Sequence, residues 1–227
     1  MNYCVALGGN PNAGKTTLFN ALTGSRQHVG NYPGVTVDRK EGRYVQNGHD
    51  MHIVDLPGTY SLTAYSVEEV VARDFLVNEC PRVTINIVDA SNLERNLYLT
   101  IQFLELGIPT CVALNMIDVA RGRGIEVDNK KLSRLLGVPV VPIVARSGFG
   151  KKALMDAVET VAAAADVKGV IVTSAKSDFI AGADLDKFLE DQDAQELFDL
   201  FSLMDMSTRR METSGKPFVA AINGTAL

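Results

Sequence analysis

The sequence predicts an α/β fold, a doubly wound and mostly parallel sheet with one antiparallel hairpin, followed by a smaller C-terminal α/β fragment. Three observations carry this. Apolar strand-like runs alternate with helical stretches from residue 1 to residue 165. Asn47-Gly48 stands between two strand-like runs, the strongest short hairpin signal. Three polar motifs each follow a strand-like run directly, where an open α/β sheet gathers its ligand-binding loops.

The elements follow in order. Residues 3–7, Tyr-Cys-Val-Ala-Leu, read as a buried strand, and 17–22 as a helix stopped by Gly24. Residues 35–45 and 51–55 flank the hairpin turn. Residues 67–80 read as a helix with a charged face, closed by Pro81. Residues 83–88 form an apolar strand. Leu93, Leu97, Ile101 and Leu104 recur at helical spacing and predict a helix buried along that stripe, ended by Gly107. Residues 111–114 read as a strand, 130–136 as a helix, 138–144 as a sixth strand and 151–165 as a helix of high propensity. After the alanine run at 162–165 the character changes, which sets a boundary near residue 166. Beyond it, 167–173 and 217–222 are strand candidates, while 184–189 and 194–213 are helical.

Composition narrows the class. An apolar content of 46% and a charged content of 22% suit a chain that buries a proper core. A net charge of −5 argues against a general nucleic-acid binder. No apolar stretch approaches the roughly 18–20 residues that span a membrane. The first residues read as a strand, not a leader, so a cytoplasmic chain is expected. Cys4, Cys80 and Cys111 are odd in number and far apart, and two of them sit in strand-like runs, which favours buried thiols over a disulfide or metal site. His28, His49 and His52 are scattered and form no ligand pattern.

The chemistry sits in the motifs. Residues 9–16 read Gly-Asn-Pro-Asn-Ala-Gly-Lys-Thr, between a strand and a helix. Such a turn aims backbone N–H groups and the positive helix end at one point, and its glycines let the chain wrap a phosphate. Asn10, Pro11, Asn12, Ala13, Gly14 and Thr17 would line it, Lys15 would reach the β and γ phosphates, and the Thr16 hydroxyl would sit on Mg²⁺. Asp55-Leu56-Pro57-Gly58 ends a second strand, where Asp55 suits Mg²⁺ through water and the Gly58 N–H suits the γ-phosphate. Asn115-Met116-Ile117-Asp118 ends another. An aspartate there accepts both N1–H and the 2-amino group of guanine. Adenine offers neither donor and would leave the carboxylate unpaired. Three motifs in this order make GTP the expected substrate.

These residues also carry a family resemblance. Residues 1–165 resemble the cytoplasmic G domain of FeoB, the bacterial ferrous-iron transporter, a Ras-like P-loop GTPase. The likeness rests on 9–20, on Val-Gly-Asn-Tyr-Pro-Gly-Val-Thr-Val at 29–37, on Asp-Leu-Pro-Gly-Thr-Tyr-Ser-Leu at 55–62 and on Asn-Met-Ile-Asp at 115–118. It implies that Thr36, with Gly34 and Val35 beside it, belongs to a first switch that closes on Mg²⁺ and the γ-phosphate, and that a second switch begins at Gly58. It also implies that Ala145, after Val144, gives its N–H to guanine O6. Lys15, Thr36, Gly58 and Asn12 are thus the candidate catalytic residues. Thr16, Thr36 and Asp55 are the Mg²⁺ candidates. Asn12 is the K⁺ candidate, with a turn residue accepting positive φ as its rival.

Thr59 stands where Ras-type proteins have the water-orienting glutamine, so slow intrinsic hydrolysis is expected. Arg26 and Arg39 flank the first switch as solvated side chains, and no arginine finger is assigned. Met116 replaces the lysine common in the base motif, which predicts fast GDP release. The resemblance further implies a cytoplasmic location at the inner membrane and a membrane region, outside these residues, that conducts Fe²⁺. A nucleotide switch with negligible turnover and a ribosome- or tRNA-maturation GTPase are the alternatives.

The second segment resembles something else, the amino-terminal part of an enoyl-CoA hydratase (crotonase) domain. The residues are 167–176, Phe-Ile-Ala-Gly-Ala-Asp-Leu at 179–185 and 216–227. That family's second oxyanion donor and its glutamates find no counterpart here, so hydratase activity is not expected. An acyl-CoA-binding module remains a rival for this segment. Unpaired strand edges and the apolar set Leu197, Phe198, Leu200, Phe201 and Met204 suggest a homodimer by exchange of the C-terminal segment, with a fold-back onto the G domain or a partly disordered segment as the alternative.

Overall fold

The computed structural model describes residues 2–24, 27–164, 170–173 and 217–221. Contacts divide the chain into two compact units, Met1–Ala165 and Asp166–Leu227. The first unit holds seven strands in one sheet. They are β1 (Asn2–Gly9), β2 (Gln27–Asn31), β3 (Asp38–Gln46), β4 (His49–Asp55), β5 (Val83–Asp89), β6 (Thr110–Asn115) and β7 (Val140–Pro142), in the order β2-β3-β4-β1-β5-β6-β7. β4, β1, β5, β6 and β7 run parallel, and β3 pairs antiparallel with both β2 and β4. Asn47 at φ 48 and Gly48 at φ 76 make the hairpin turn, with both central residues left-handed.

Helices cover both faces. α1 (Lys15–Thr23) and α6 (Lys151–Ala164) press Leu18, Phe19, Leu154, Met155 and Val158 onto Val5, Leu7, Ile53, Ile85 and Ala113. On the other face, α2 (Val67–Asp74), the turn that follows it and α3 (Leu93–Glu105) cover Ala6, Val54 and Leu56 with Val71, Phe75, Leu99 and Phe103. α4 (Ile117–Gly122) and α5 (Asn129–Leu136) close the β6–β7 end, where Ala120, Leu132 and Leu136 pack with Val88, Val112 and Leu114. Strands buried on both sides explain why the sequence reads as continuous apolar runs there.

Several expectations need correction. The strand expected at 35–45 starts at Asp38, because residues 32–37 form a turn in which the Tyr32 N–H donates to Val37 O (2.9 Å). The helix expected over 67–80 is α-helical only to Asp74. Phe75–Glu79 winds wider, as a π-helix, and Cys80 adopts φ 46. α3 buries Asn96, Leu99, Thr100 and Phe103, not the Leu93, Leu97, Ile101 and Leu104 stripe, and Ile101 is exposed. β7 is three residues long, shorter than expected. Arg39 is no solvated side chain. Its guanidinium lies 5.4 Å from the Tyr32 ring centroid and 5.5 Å from that of Phe75, and pairs with Glu41. All three cysteines are free of disulfides, but they are not all buried: Cys111 is buried, Cys4 half-buried and Cys80 exposed, past the strand-like runs that hold the other two. Burial pushes the Cys111 thiol up to about 12 and the Cys4 thiol up to about 11.

In the second unit, β8 (Val170–Thr173) pairs in parallel with β9 (Phe218–Ala221), Val170 opposite Phe218. The helices expected at 184–189 and 194–213, and Arg26, lie outside the described residues.

Candidate functional site

The carboxyl ends of β1, β4, β6 and β7 deliver the motif loops to one end of the sheet. The phosphate-loop turn leaves β1 at Gly9 and enters α1 at Lys15, with Asn12 at φ 67 and Gly14 at φ 94. Gly14 is required for a second reason. A Cβ there would lie 2.2 Å from Asn115 Nδ2. Its absence lets Asn115 donate from Nδ2 to Ala13 O (2.9 Å), while Asn115 Oδ1 accepts the Ala145 N–H (2.9 Å). One buried amide thus ties the phosphate-loop turn to the loop after β7. The Ala145 N–H, expected on guanine O6, is held by Asn115 in this state.

The phosphate side carries a buried charge pair. Lys15 Nζ lies 2.6 Å from Asp55 Oδ1, with side chains 12% and 6% exposed. Burial raises the Asp55 carboxyl above its ordinary value, against the pull of Lys15 and Lys40. Lys15, Thr16, Thr36, Lys40, Asp55 and Glu68 line a cavity of about 380 Å³ beside this pair. Its hydroxyl and carboxylate oxygens are a hard donor set suited to Mg²⁺, whose remaining ligands are ordinarily water and phosphate. Among the described residues no cluster of three His, Cys, Asp or Glu side chains could hold a metal by itself. Gly34 (φ 76), Val35 and Thr36 sit on the turn between β2 and β3, where Tyr32 Oη donates to Asp55 O (3.3 Å).

The second motif closes over the turn. A Cβ on Gly58 would be 3.4 Å from the Pro11 Cα, and the Thr59 N–H donates to Gly9 O (3.3 Å). Downstream, Glu69 accepts from Ser61 Oγ (2.8 Å) and the Tyr65 N–H (3.0 Å). The hydroxyl bond, then the backbone bonds, hold its carboxyl low against burial.

The base side carries an exposed pair. Met116 is left-handed at φ 60, a strained position for a residue with a Cβ that the sequence did not betray. Asp118 pairs with Arg146 (2.6 Å), side chains 33% and 77% exposed. Asp118, Val144, Arg146, Ser147 and Phe149 border a cavity of about 340 Å³. Arg146 was missed by sequence reading; its place directly after Ala145 was the available signal.

Comparison with known proteins now decides the family. The sequence profile FeoB_N, "Ferrous iron transport protein B", matches residues 3–158. The chain belongs to the FeoB family. The Fe(2+) transporters FeoB of Salmonella typhimurium and Escherichia coli K12 are each 54% identical over 159 residues, covering 68% of this chain and 21% of theirs. The chain therefore spans about a fifth of the length of these curated FeoB relatives. The FeoB G domain of Methanococcus jannaschii superposes with a TM-score of 0.65 at 48% identity, covering 71% of this chain and 98% of that one. An S. thermophilus NFeoB mutant bound to GDP gives a TM-score of 0.69 at 49% identity, covering 73% and 65%. The fold is that of FeoB G domains, a Ras-like P-loop arrangement with helices on both faces of a mixed sheet. Among the described residues no helix is long and apolar enough to cross a membrane.

Proposed function

We propose that the first unit binds guanine nucleotide with Mg²⁺, hydrolyses GTP to GDP and phosphate slowly, and thereby gates Fe²⁺ passage through a membrane region beyond these residues, at the cytoplasmic face. The observation that carries this reading is Asn115, whose amide joins the phosphate loop at Ala13 to the base loop at Ala145. Such a bridge couples phosphate binding to base binding. GDP bound to the S. thermophilus relatives supports the choice of nucleotide.

On loading, Lys15 exchanges Asp55 for the β and γ phosphates, and Asp118 turns its carboxylate from Arg146 to the N1–H and 2-amino group of guanine. The Ala145 N–H passes from Asn115 to guanine O6. Thr16, Thr36 and Asp55 would hold Mg²⁺, which would supply charge neutralisation to the phosphates when bound. Asn12 is assigned to K⁺. Its positive φ also suits a plain turn residue, which makes matched K⁺ and Na⁺ assays the discriminating measurement. With Thr59 in place of glutamine, attacking water is aligned by main-chain groups, hence the slow rate. Met116, lacking an ammonium, favours fast GDP release. The C-terminal unit exchanges between two copies to form a homodimer in this reading, and nucleic acid plays no part.

Calorimetric titration tests the base assignment. GDP should bind and ADP should not. Asp118→Asn should lose GDP affinity by about 100-fold or more, since an amide cannot accept both guanine donors. Equal binding of ADP and GDP would defeat the reading.

A further inference from the structure

Besides Glu69 of α2, two elements support the second-switch residues that start at Gly58, and only one of these two belongs to the nucleotide motifs. On one side, the Thr59 N–H is bonded to Gly9 O (3.3 Å). On the other lies α3. The guanidinium of Arg95, in its first turn, stacks over the Tyr60 ring at 4.1 Å from the centroid, and Gln102 Oε1 accepts the Leu62 N–H (2.7 Å). Arg95 is itself held to the phosphate loop, because its carbonyl accepts from Asn10 Nδ2 (3.4 Å). Asn10 is 3% exposed, and its Oδ1 has no partner among the described residues. This leaves the Nδ2 contact as the side chain's one anchor among the described residues.

We propose that Arg95 is a positioning residue for GTP hydrolysis. Its stack on Tyr60 holds the Gly58 and Thr59 main chain against the phosphate loop. The proposal rests on the GTPase reading above. Thr59 is 5% exposed and brings no long polar side chain to an attacking water, so alignment falls to the backbone of this segment. That backbone is only as ordered as its attachments. Tyr60 is 42% exposed, so the stack is a surface contact that adds little to global stability while fixing a local conformation. In the step itself, the water oxygen bonds the γ-phosphorus, the bridging P–O bond breaks with its electrons leaving on GDP, and the water proton passes to phosphate. Arg95 touches none of these atoms.

The test is single-turnover GTP hydrolysis by the full 227-residue chain, with GDP affinity and thermal midpoint measured alongside. Arg95→Ala should slow hydrolysis about two- to fivefold, the range of an exposed cation–π contact, with GDP affinity and midpoint unchanged. Tyr60→Phe keeps the ring and should match wild type, while Tyr60→Leu should match Arg95→Ala. The double variant Arg95→Ala, Tyr60→Leu should be no slower than either single one. Wild-type turnover with an undiminished Arg95→Ala rate overturns the clamp alone. So does Tyr60→Phe as slow as Tyr60→Leu, or a loss of GDP affinity that tracks the loss of rate. No turnover by wild type removes the GTPase reading and the clamp with it.

Discussion

At the phosphate end of the site, Lys15 and Asp55 pair with side chains 12% and 6% exposed; at the base end, Asp118 and Arg146 pair at 33% and 77%. Both pairs measure 2.6 Å. Length does not rank them; solvent does. Breaking a buried pair strands a charge in low dielectric, while an exposed pair is screened and contributes from nothing to about 1 kcal/mol. The phosphate end is therefore a built-in part of the fold. The base end is a set of side chains laid on its surface.

The largest effect expected from this contrast comes from Lys15→Ala. Urea denaturation at neutral pH should show a loss of about 3 kcal/mol, because Asp55 is left ionised and unpaired. The pH dependence sharpens the point. Burial holds the folded Asp55 value above the ordinary aspartate value. Its favourable contribution is then fully present below that ordinary value and fades as pH rises through the raised one. In Lys15→Ala the raising is greater, so the deficit against wild type should shrink on acidification as Asp55 takes up a proton. A deficit independent of pH would contradict the assignment.

Asn115→Ala comes next. It leaves Ala13 O and the Ala145 N–H without their buried partner, for an expected loss of about 2 kcal/mol in the same experiment. Both ends of the site should loosen together, visible as faster amide exchange at Ala145 and in the phosphate loop. Arg146→Ala should do least. A stability change below about 1 kcal/mol is expected, vanishing at high salt, with GDP affinity altered less than about fivefold. A larger, salt-insensitive change would mean that the base end is as built-in as the phosphate end.

The same contrast governs what the sequence could reveal. Motif loops at strand ends were legible, because phosphate binding needs particular glycines and a lysine at fixed spacing, and buried parallel strands need apolar runs. β2, Gln-His-Val-Gly-Asn, was not, because an exposed edge strand has no reason to alternate. The buried face of α3 was misread because it carries Asn96 and Thr100. Asn96 accepts the Asp89 N–H and donates to Asn92 O, while Thr100 Oγ1 accepts from Asn86 Nδ2 (2.6 Å). Polar groups satisfied inside the fold defeat a count of apolar residues. The site's residue types were legible, but its resting pairings were not: Lys15 with Asp55, Ala145 with Asn115, Asp118 with Arg146. They join residues 28 to 40 positions apart, beyond any local pattern.

The most direct test of the central claim is GTP hydrolysis by the purified chain with Mg²⁺, in matched K⁺ and Na⁺ buffers, with ATP as control. The account predicts slow GTP turnover, faster in K⁺ than in Na⁺, and none with ATP. Equal turnover of ATP and GTP, or no turnover of GTP in either salt, would contradict it.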